Sequence, residues 1–283
     1  MAKGAPATGD RFTERSPNGV MGMPYSFLAK TAIVGRTCNW AVPLVGTIVS
    51  NAAIAGTTGI TVTPHSGTIT GDLMIAIILD TLQPTVDTIT GWTLLFTVRD
   101  GNGVPDRTQS VYGKYATQDA PGATTFTNNS AVADEMLGFI LTFNGGHAST
   151  MLDVAWNETL HKKSDFNTPS PNDIAHQPIT TNSTGAYVLL LHRVGLAGMT
   201  STAVPTGYTK LASNIGESER QFILAGKIVN PLGVETPDVA LWTSTDAGQD
   251  CTLITFALKP IDGACGGGNV YDFQVTFRRR RRA

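Results

Sequence analysis

The middle of the chain carries one strand-rich pattern twice, at an offset of roughly 114 residues. Gly71 and Asp72 precede the apolar run LMIAIIL, and Gly185 and Ala186 precede the run YVLLLHRV. A repeat of this length predicts that one structural unit occurs twice in tandem. It constrains the fold more than any other feature of the sequence.

The remaining matched elements follow in the same order in both copies. A glycine and an aromatic residue form a corner, GWTLL at Gly91 and GYTKL at Gly207. The stretches VYGKYAT and FILAGKIV then place Lys114 and Lys227 at matching positions. Each copy closes with alternating apolar residues, LGFILTF and TLITFAL, a period-2 pattern that predicts half-buried strands.

The spacing of strands and turns predicts the fold class. Each copy has about five short strand patterns separated by Gly, Pro, Asn and Asp turns, and no long helical periodicity interrupts them. Charged residues make up 15% of the chain, against about 25% in ordinary globular domains, and hydrophobic residues reach 41%. We therefore predict an all-β fold, a β-sandwich or jelly roll built from two tandem repeats with extended N- and C-terminal arms.

The repeat also predicts the domain boundaries. Residues 57–260 form the duplicated region, with copies at 57–147 and 174–260. The connector 148–173 is polar and interrupted by proline, which predicts a surface loop suited to binding. Residues 1–56 form an unrepeated N-terminal arm, and residues 261–283 hold a glycine-rich linker, a final strand VYDFQVTF and an arginine run. Arms of this kind commonly add strands to the sheets of neighbouring subunits.

Charge and cysteine content exclude several classes of protein. Without the arginine run the balance is 15 basic against 22 acidic residues, or -7, so the body of the protein is not expected to bind nucleic acid. Cys38, Cys251 and Cys265 are odd in number and lack metal-site spacing, which indicates reduced thiols. We recognise no secretory signal and no membrane anchor, and expect neither export nor membrane association.

No catalytic, cofactor-binding or metal-binding residues are predicted. The histidines lack the spacing of a zinc site, which predicts scattered surface or loop positions: His65, His147, His161, His176 and His192. The segment from Asp100 to Asp106 resembles a calcium loop but lacks the central Gly and closing Glu, so we interpret it as a hairpin tip. Gly263 to Gly268 lacks the Lys and Ser/Thr of a phosphate loop and is interpreted as a linker.

Four aromatic residues could form a sugar-stacking surface or could pack in the core. Trp92 and Tyr208 occupy matching positions of the repeat, which favours core anchors. Trp156 lies in the connector, so we take it as the better candidate for contact with a partner. Trp242 is left open between the two roles.

The second candidate contact is the run of five adjacent arginines near the C-terminus: Arg278, Arg279, Arg280, Arg281 and Arg282. Adjacent guanidinium groups bind phosphates and acidic protein surfaces in a salt-sensitive way. Three roles stay open here, namely a solvated tail, a contact with an acidic protein, and a contact with nucleic acid.

The two copies together resemble a duplicated β-sandwich module that recurs in structural proteins of tailed bacteriophages and in some bacterial surface proteins. The resemblance spans roughly residues 57–260 and is carried by GDLMIAIIL, GWTLL, VYGKYAT, LTFNGG, GAYVLLL, PTGYTKL and ITFALKP. These are hydrophobic and turn patterns, and no functional residue is carried over from the family.

The resemblance implies a non-enzymatic virion protein that is assembled in the host cytoplasm, such as a capsid-decoration, tail or fibre component. Its partners would be other virion proteins and further copies of itself. The alternative is a host-surface or carbohydrate-binding adhesin that uses the connector and hairpin tips. A third class, a polysaccharide depolymerase, would require paired carboxylates in a cleft.

Overall fold

The computed structural model describes residues 40, 43–50, 59–80, 88–99, 108–127, 135–144, 146, 149–168, 175–194, 203–214, 221–238 and 249–260. All of them belong to one compact unit, Arg36–Ala283. The C-terminal strand VYDFQVTF, the arginine run and most of the N-terminal arm lie outside the described residues.

More than half of the described residues lie in strands and only the short α1 is helical, which confirms the all-β prediction. The first half contains β1 (Leu44–Val45), β2 (Val49–Ser50), β3 (Gly59–Val62), β4 (Leu73–Asp80), β5 (Thr93–Arg99), β6 (Thr108–Tyr115), β7 (Thr124–Thr127) and β8 (Met136–Phe143). The second half contains α1 (Glu158–His161), β9 (Lys162–Thr168), β10 (Ile179–Thr180), β11 (Ala186–Val194), β12 (Thr209–Asn214), β13 (Gln221–Val229), β14 (Val234–Glu235) and β15 (Gln249–Leu258).

Two large antiparallel sheets have the same internal strand order. Sheet I runs β5-β6-β4-β8, with β1 and β2 on the outer edge of β8. Sheet II runs β12-β13-β11-β15, with β9 on the outer edge of β15. Two small sheets, β3-β7 and β10-β14, complete the set. The duplication stays a prediction from the sequence, and the shared strand order supports it.

The main core lies between sheets I and II. Inward-facing side chains of both sheets form a single cluster, which includes Leu73, Ile75, Phe139, Leu189 and Phe256. Phe139 of β8 and Phe222 of β13 stack with centroids 4.8 Å apart. The first and second halves of the chain therefore each supply one sheet of a shared sandwich, since neither sheet could bury this face alone.

The outer faces of both large sheets are covered as well. Ile60 and Phe126 of the β3-β7 sheet pack on the outer face of sheet I, and Ile179 of β10 packs on that of sheet II. As a result β8 and residues 251–258 of β15 are buried on both sides. The prediction that these strands are half-buried was therefore wrong, because alternation in a sequence does not show what covers the second face.

Matching turns shape both sheets. Gly71 and Gly185, which precede β4 and β11, have φ of 89° and 81°. Residues with a Cβ rarely adopt this left-handed region, so the glycines at these positions are required by the backbone. The aromatic corners follow the predicted role, since Trp92 is 7% and Tyr208 8% exposed.

The connector is not the surface loop that its composition predicts. Leu152 forms an isolated bridge with Leu258, α1 occupies residues 158–161, and β9 pairs along β15. Likewise, residues 44–50 of the predicted N-terminal arm pair with β8 of their own chain. Both segments form main-chain hydrogen bonds with the edge strand of a sheet. Edge pairing of this kind does not require a recognisable pattern of apolar and polar side chains.

Candidate contact surface

The ends of many strands lie together at one end of the sandwich. In sheet I, Asp80 at the end of β4 is opposite both Thr108 and Met136 at the starts of β6 and β8. In sheet II, Val194 at the end of β11 is opposite Gln221 and Cys251 of β13 and β15. We call this end, defined by these six residues, the loop-bearing end.

Several joining segments begin or end at these strand termini. Two segments follow strand ends, residues 81–87 after Asp80 and residues 195–202 after Val194. Three more lead into strand starts, namely 100–107 into β6, 215–220 into β13 and 239–248 into β15. These segments lie outside the described residues, including Asp100 to Asp106 of the predicted hairpin tip. Segments held by a rigid scaffold are where binding residues of sandwiches concentrate.

A buried arginine joins the two sheets beneath this end. Arg193 of β11 is 1% exposed, and its Nη1 and Nη2 donate to the main-chain carbonyls of Thr108 (3.0 Å) and Asp80 (2.7 Å) in sheet I. Hydrogen bonds from a charged donor are among the stronger ones in proteins. The contact holds the ends of the two sheets at a fixed separation. A single Arg in the apolar run YVLLLHRV was the available sequence signal, and sequence reasoning missed it.

Gln109 adds to the polar groups at this end. Its side chain is fully buried, and neither amide atom has a hydrogen-bond partner among the described residues. Buried amides are rarely left unsatisfied.

Three histidines are buried, so the prediction of surface or loop positions was wrong for His161, His176 and His192. His176 and His192 meet edge to face with ring centroids 6.1 Å apart. Burial lowers the pKa of His192 to about 3. It also lowers the pKa of His176 well below 6.5, with a further contribution from His192, against an opposing hydrogen bond to the main chain of Ile254. The pair is consequently neutral at physiological pH.

The histidine pair does not extend to a metal site in the described part of the chain. There, no group of three or more His, Cys, Asp or Glu side chains is arranged to hold a metal ion. Cys251 is buried and forms no disulfide. The other two cysteines lie outside the described residues.

The matched lysines each cover an aromatic corner. Lys114 Nζ lies 5.8 Å from the Trp92 ring centroid, and Lys227 Nζ lies 5.4 Å from that of Tyr208. Glu235 of β14, in the small sheet beside sheet II, accepts hydrogen bonds from Lys227 (2.7 Å) and from the Tyr208 hydroxyl (3.2 Å). Burial and then the nearby carboxylates raise the pKa of Tyr208. The phenol therefore stays protonated, and the cluster stabilises a turn.

Trp156, one of the two predicted contacts, is half-buried. Its ring stacks on that of Phe96, with centroids 3.9 Å apart and planes inclined by 9°. The centroid of the His161 ring lies 5.5 Å from that of Trp156. One face of the indole is thus used by the core. Arg278 to Arg282, the other predicted contact, and Trp242 lie outside the described residues.

Comparison with known proteins gives no relative for this fold and surface. No protein-family model, no curated protein and no solved structure matches the chain. Among the described residues, no helix is long and apolar enough to cross a membrane.

Proposed function

We propose that this chain is a non-enzymatic structural protein of a tailed-bacteriophage virion, a capsid-decoration or tail or fibre component. It works through protein contacts made at the loop-bearing end. The observation that carries the proposal is the convergence of strand termini from both sheets at this end, on a scaffold braced by Arg193. The likeness of the repeats to phage structural modules supports the virion setting.

The packing of the sandwich favours the ends over the faces as contact surfaces. Both faces of each central strand are buried, by the opposite large sheet and by the small sheets β3-β7 and β10-β14. Partners can therefore reach the ends and edges of the sandwich and the outer faces of the small sheets, but not the faces of the large sheets. Of these, the loop-bearing end has five joining segments attached to rigid strand ends, an arrangement that suits specific recognition.

The virion setting is tested by quantitative mass spectrometry of purified particles from the phage that encodes the chain. We expect the protein in a fixed stoichiometry to the major capsid or tail protein, as symmetric assembly requires. Absence from intact particles, with the protein present in infected cells, would refute the proposal.

The contact end is tested by segment replacement. Exchanging residues 100–106 or 195–202 for Gly/Ser segments of equal length should preserve the folded state and abolish incorporation into particles. A control replaces the exposed residues 122 and 123, which follow β6 at the opposite end, with Ser and Gly. Incorporation that is lost with the control and kept with the test variants would contradict the assignment of this end.

The adhesin alternative uses the same end and is separated by binding to host cells. Purified protein that binds host glycans, and loses this binding with the same replacements while still entering particles, would favour an adhesin. The structural proposal expects the reverse result.

A further inference from the structure

The turns that precede the central strands β4 and β11 have the same main-chain hydrogen bonding. In sheet I the Asp72 amide donates to the carbonyl of Ile69 (3.1 Å), and in sheet II the Ala186 amide donates to that of Ser183 (3.3 Å). These residues correspond at the offset of the repeat. The two turns therefore match in backbone but differ at their last residue, which is an aspartate in one and an alanine in the other.

The aspartate of the first turn fixes that turn. Asp72 is 7% exposed, and its Oδ2 accepts a 3.0 Å hydrogen bond from the Ile69 amide. A carboxylate that accepts from a nearby main-chain amide makes a charge-assisted hydrogen bond, which is stronger than one between neutral groups. Ala186 has no side-chain acceptor to offer the Ser183 amide of the second turn.

The connector supplies the carboxylate that the second turn lacks. Asp153 is also 7% exposed, and its Oδ2 accepts from the amides of Ser183 (3.2 Å) and Asn182 (2.6 Å). The contact is reciprocal, because the Asn182 side-chain amide donates to the main-chain carbonyl of Asp153 (2.8 Å). Among the described residues Oδ1 of Asp153 has no partner, so the hydrogen bonds of this carboxylate all go to the second turn.

Asp153 lies in a segment that contacts both large sheets, residues 151–156, which we call the strap. Its main chain joins the end of β15 through two hydrogen bonds, from the Asp153 amide to Ala257 (2.8 Å) and from the Lys259 amide to Met151 (2.9 Å). The ring of its last residue stacks on β5 of sheet I. The strap thus spans the side of the sandwich on which β5 packs against β15.

We propose that Asp153 is a positioning residue that fastens the strap to sheet II, by capping the turn 183–186 in place of the aspartate that this turn lacks. The pairing of the strap with β15 is an isolated bridge at Leu152, and so short a pairing gives little stability by itself. The conformation of the strap therefore depends on one carboxylate. The inference is independent of the proposed virion role.

Amide hydrogen exchange of the full chain, resolved by NMR, tests this fastening. In Asp153→Ala the amides of Ser183 and Lys259 should lose protection by about tenfold or more, beyond any change in β11, whose amides report global unfolding. Asp119→Ala is the matched control, because this carboxylate accepts from the Thr70 amide (2.8 Å) in the turn of sheet I. The control should expose Thr70 and leave the protection of Lys259 unchanged.

A second substitution separates capping of the turn from fastening of the strap. Ala186→Asp gives the second turn the aspartate that the first turn has at this position. In the Asp153→Ala background it should restore protection of the Ser183 amide and leave that of Lys259 low, because the new carboxylate belongs to the turn. In the parent chain it should lower the protection of Lys259, since two like charges then compete for one amide.

Three outcomes would overturn the proposal. If Lys259 protection in Asp153→Ala changes only as much as that of β11, main-chain pairing alone holds the strap. If Ala186→Asp restores Lys259 together with Ser183 in that background, the shape of the turn positions the strap. The third outcome, unchanged Lys259 protection when Ala186→Asp is made in the parent chain, is decisive even where Asp153→Ala fails to fold.

Discussion

Arg193 Nη2 of sheet II donates a 2.7 Å hydrogen bond to the main-chain carbonyl of Asp80 in sheet I. At the matching position of sheet I, 114 residues earlier, stands Leu79, which is buried in the apolar core. The two copies therefore differ in polarity at this inward-facing position. The polar side chain of one copy binds the strand end of the other, which makes the sandwich asymmetric beneath the loop-bearing end.

Replacing Arg193 with Met should lower the free energy of unfolding by about 2–4 kcal/mol, because two buried carbonyls lose their donor. Urea denaturation followed by tryptophan fluorescence measures the change. Leu79→Met is the matched control and should cost less than about 1.5 kcal/mol, as a swap of similar volume. Equal stabilities for the two variants would show that the guanidinium is dispensable.

Trp156→Ala should destabilise the protein by about 2–4 kcal/mol, since it removes a ring stacked on Phe96. Trp156→Phe keeps an aromatic face and should retain most of the stability. Both variants are compared by thermal and urea unfolding. Should Trp156→Ala unfold like the parent chain and yet fail in particle assembly, Trp156 would be a contact residue with no packing role.

Gly226→Ala should cost about 1–3 kcal/mol, because its Cβ would collide with the Tyr187 ring, 2.7 Å from the hydroxyl oxygen. Gly122→Ala is the control, as nothing lies within 4 Å of its added Cβ. The control is expected to shift stability by no more than about 0.5 kcal/mol. If Gly226→Ala left the stability unchanged, the Tyr187 ring would be able to shift away from residue 226.

Acid should destabilise the protein through the buried histidines. Burial lowers the pKa of His192 from 6.5 to about 3 and that of His176 in the same direction, so the unfolded chain binds more protons. The stabilising effect of His192 is complete above pH 6.5 and is lost as the pH falls from there toward 3. At about pH 5 His192 should have lost roughly 2 kcal/mol relative to about pH 7.5, and His176 contributes in the same direction.

The histidine contribution can be isolated with His192→Ile, since Ile78 occupies the matching position in sheet I. Urea unfolding at both pH values should show a smaller pH dependence in this variant than in the parent. Hydrogen bonds lower the pKa values of the exposed carboxylates of Asp119 and Asp238 below 3.8. Any stability that depends on their charge is therefore lost only at lower pH than that of the histidines. If the unfolding free energy of His192→Ile changed with pH as much as that of the parent, other groups would be responsible for the acid sensitivity.

Local features of the sequence located the strands well. The runs after Gly71 and Gly185 became β4 and β11, and the corners at Trp92 and Tyr208 are buried as predicted. The predictions that were wrong concern burial and pairing: the two-sided covering of β8, the strand β9 in the connector, and the buried histidines. Each depends on which distant segment lies against a residue, and composition does not encode this.

The sequence by itself determined the all-β class, most of the strands and the turn glycines, because these follow from the conformational preferences of neighbouring residues; it also predicts that two units match. Only the tertiary structure decided that the two units form one sandwich, with Phe139 against Phe222 and Arg193 against the end of sheet I. The physical reason is that each sheet has an apolar face it cannot bury alone, and its partner is chosen by long-range packing.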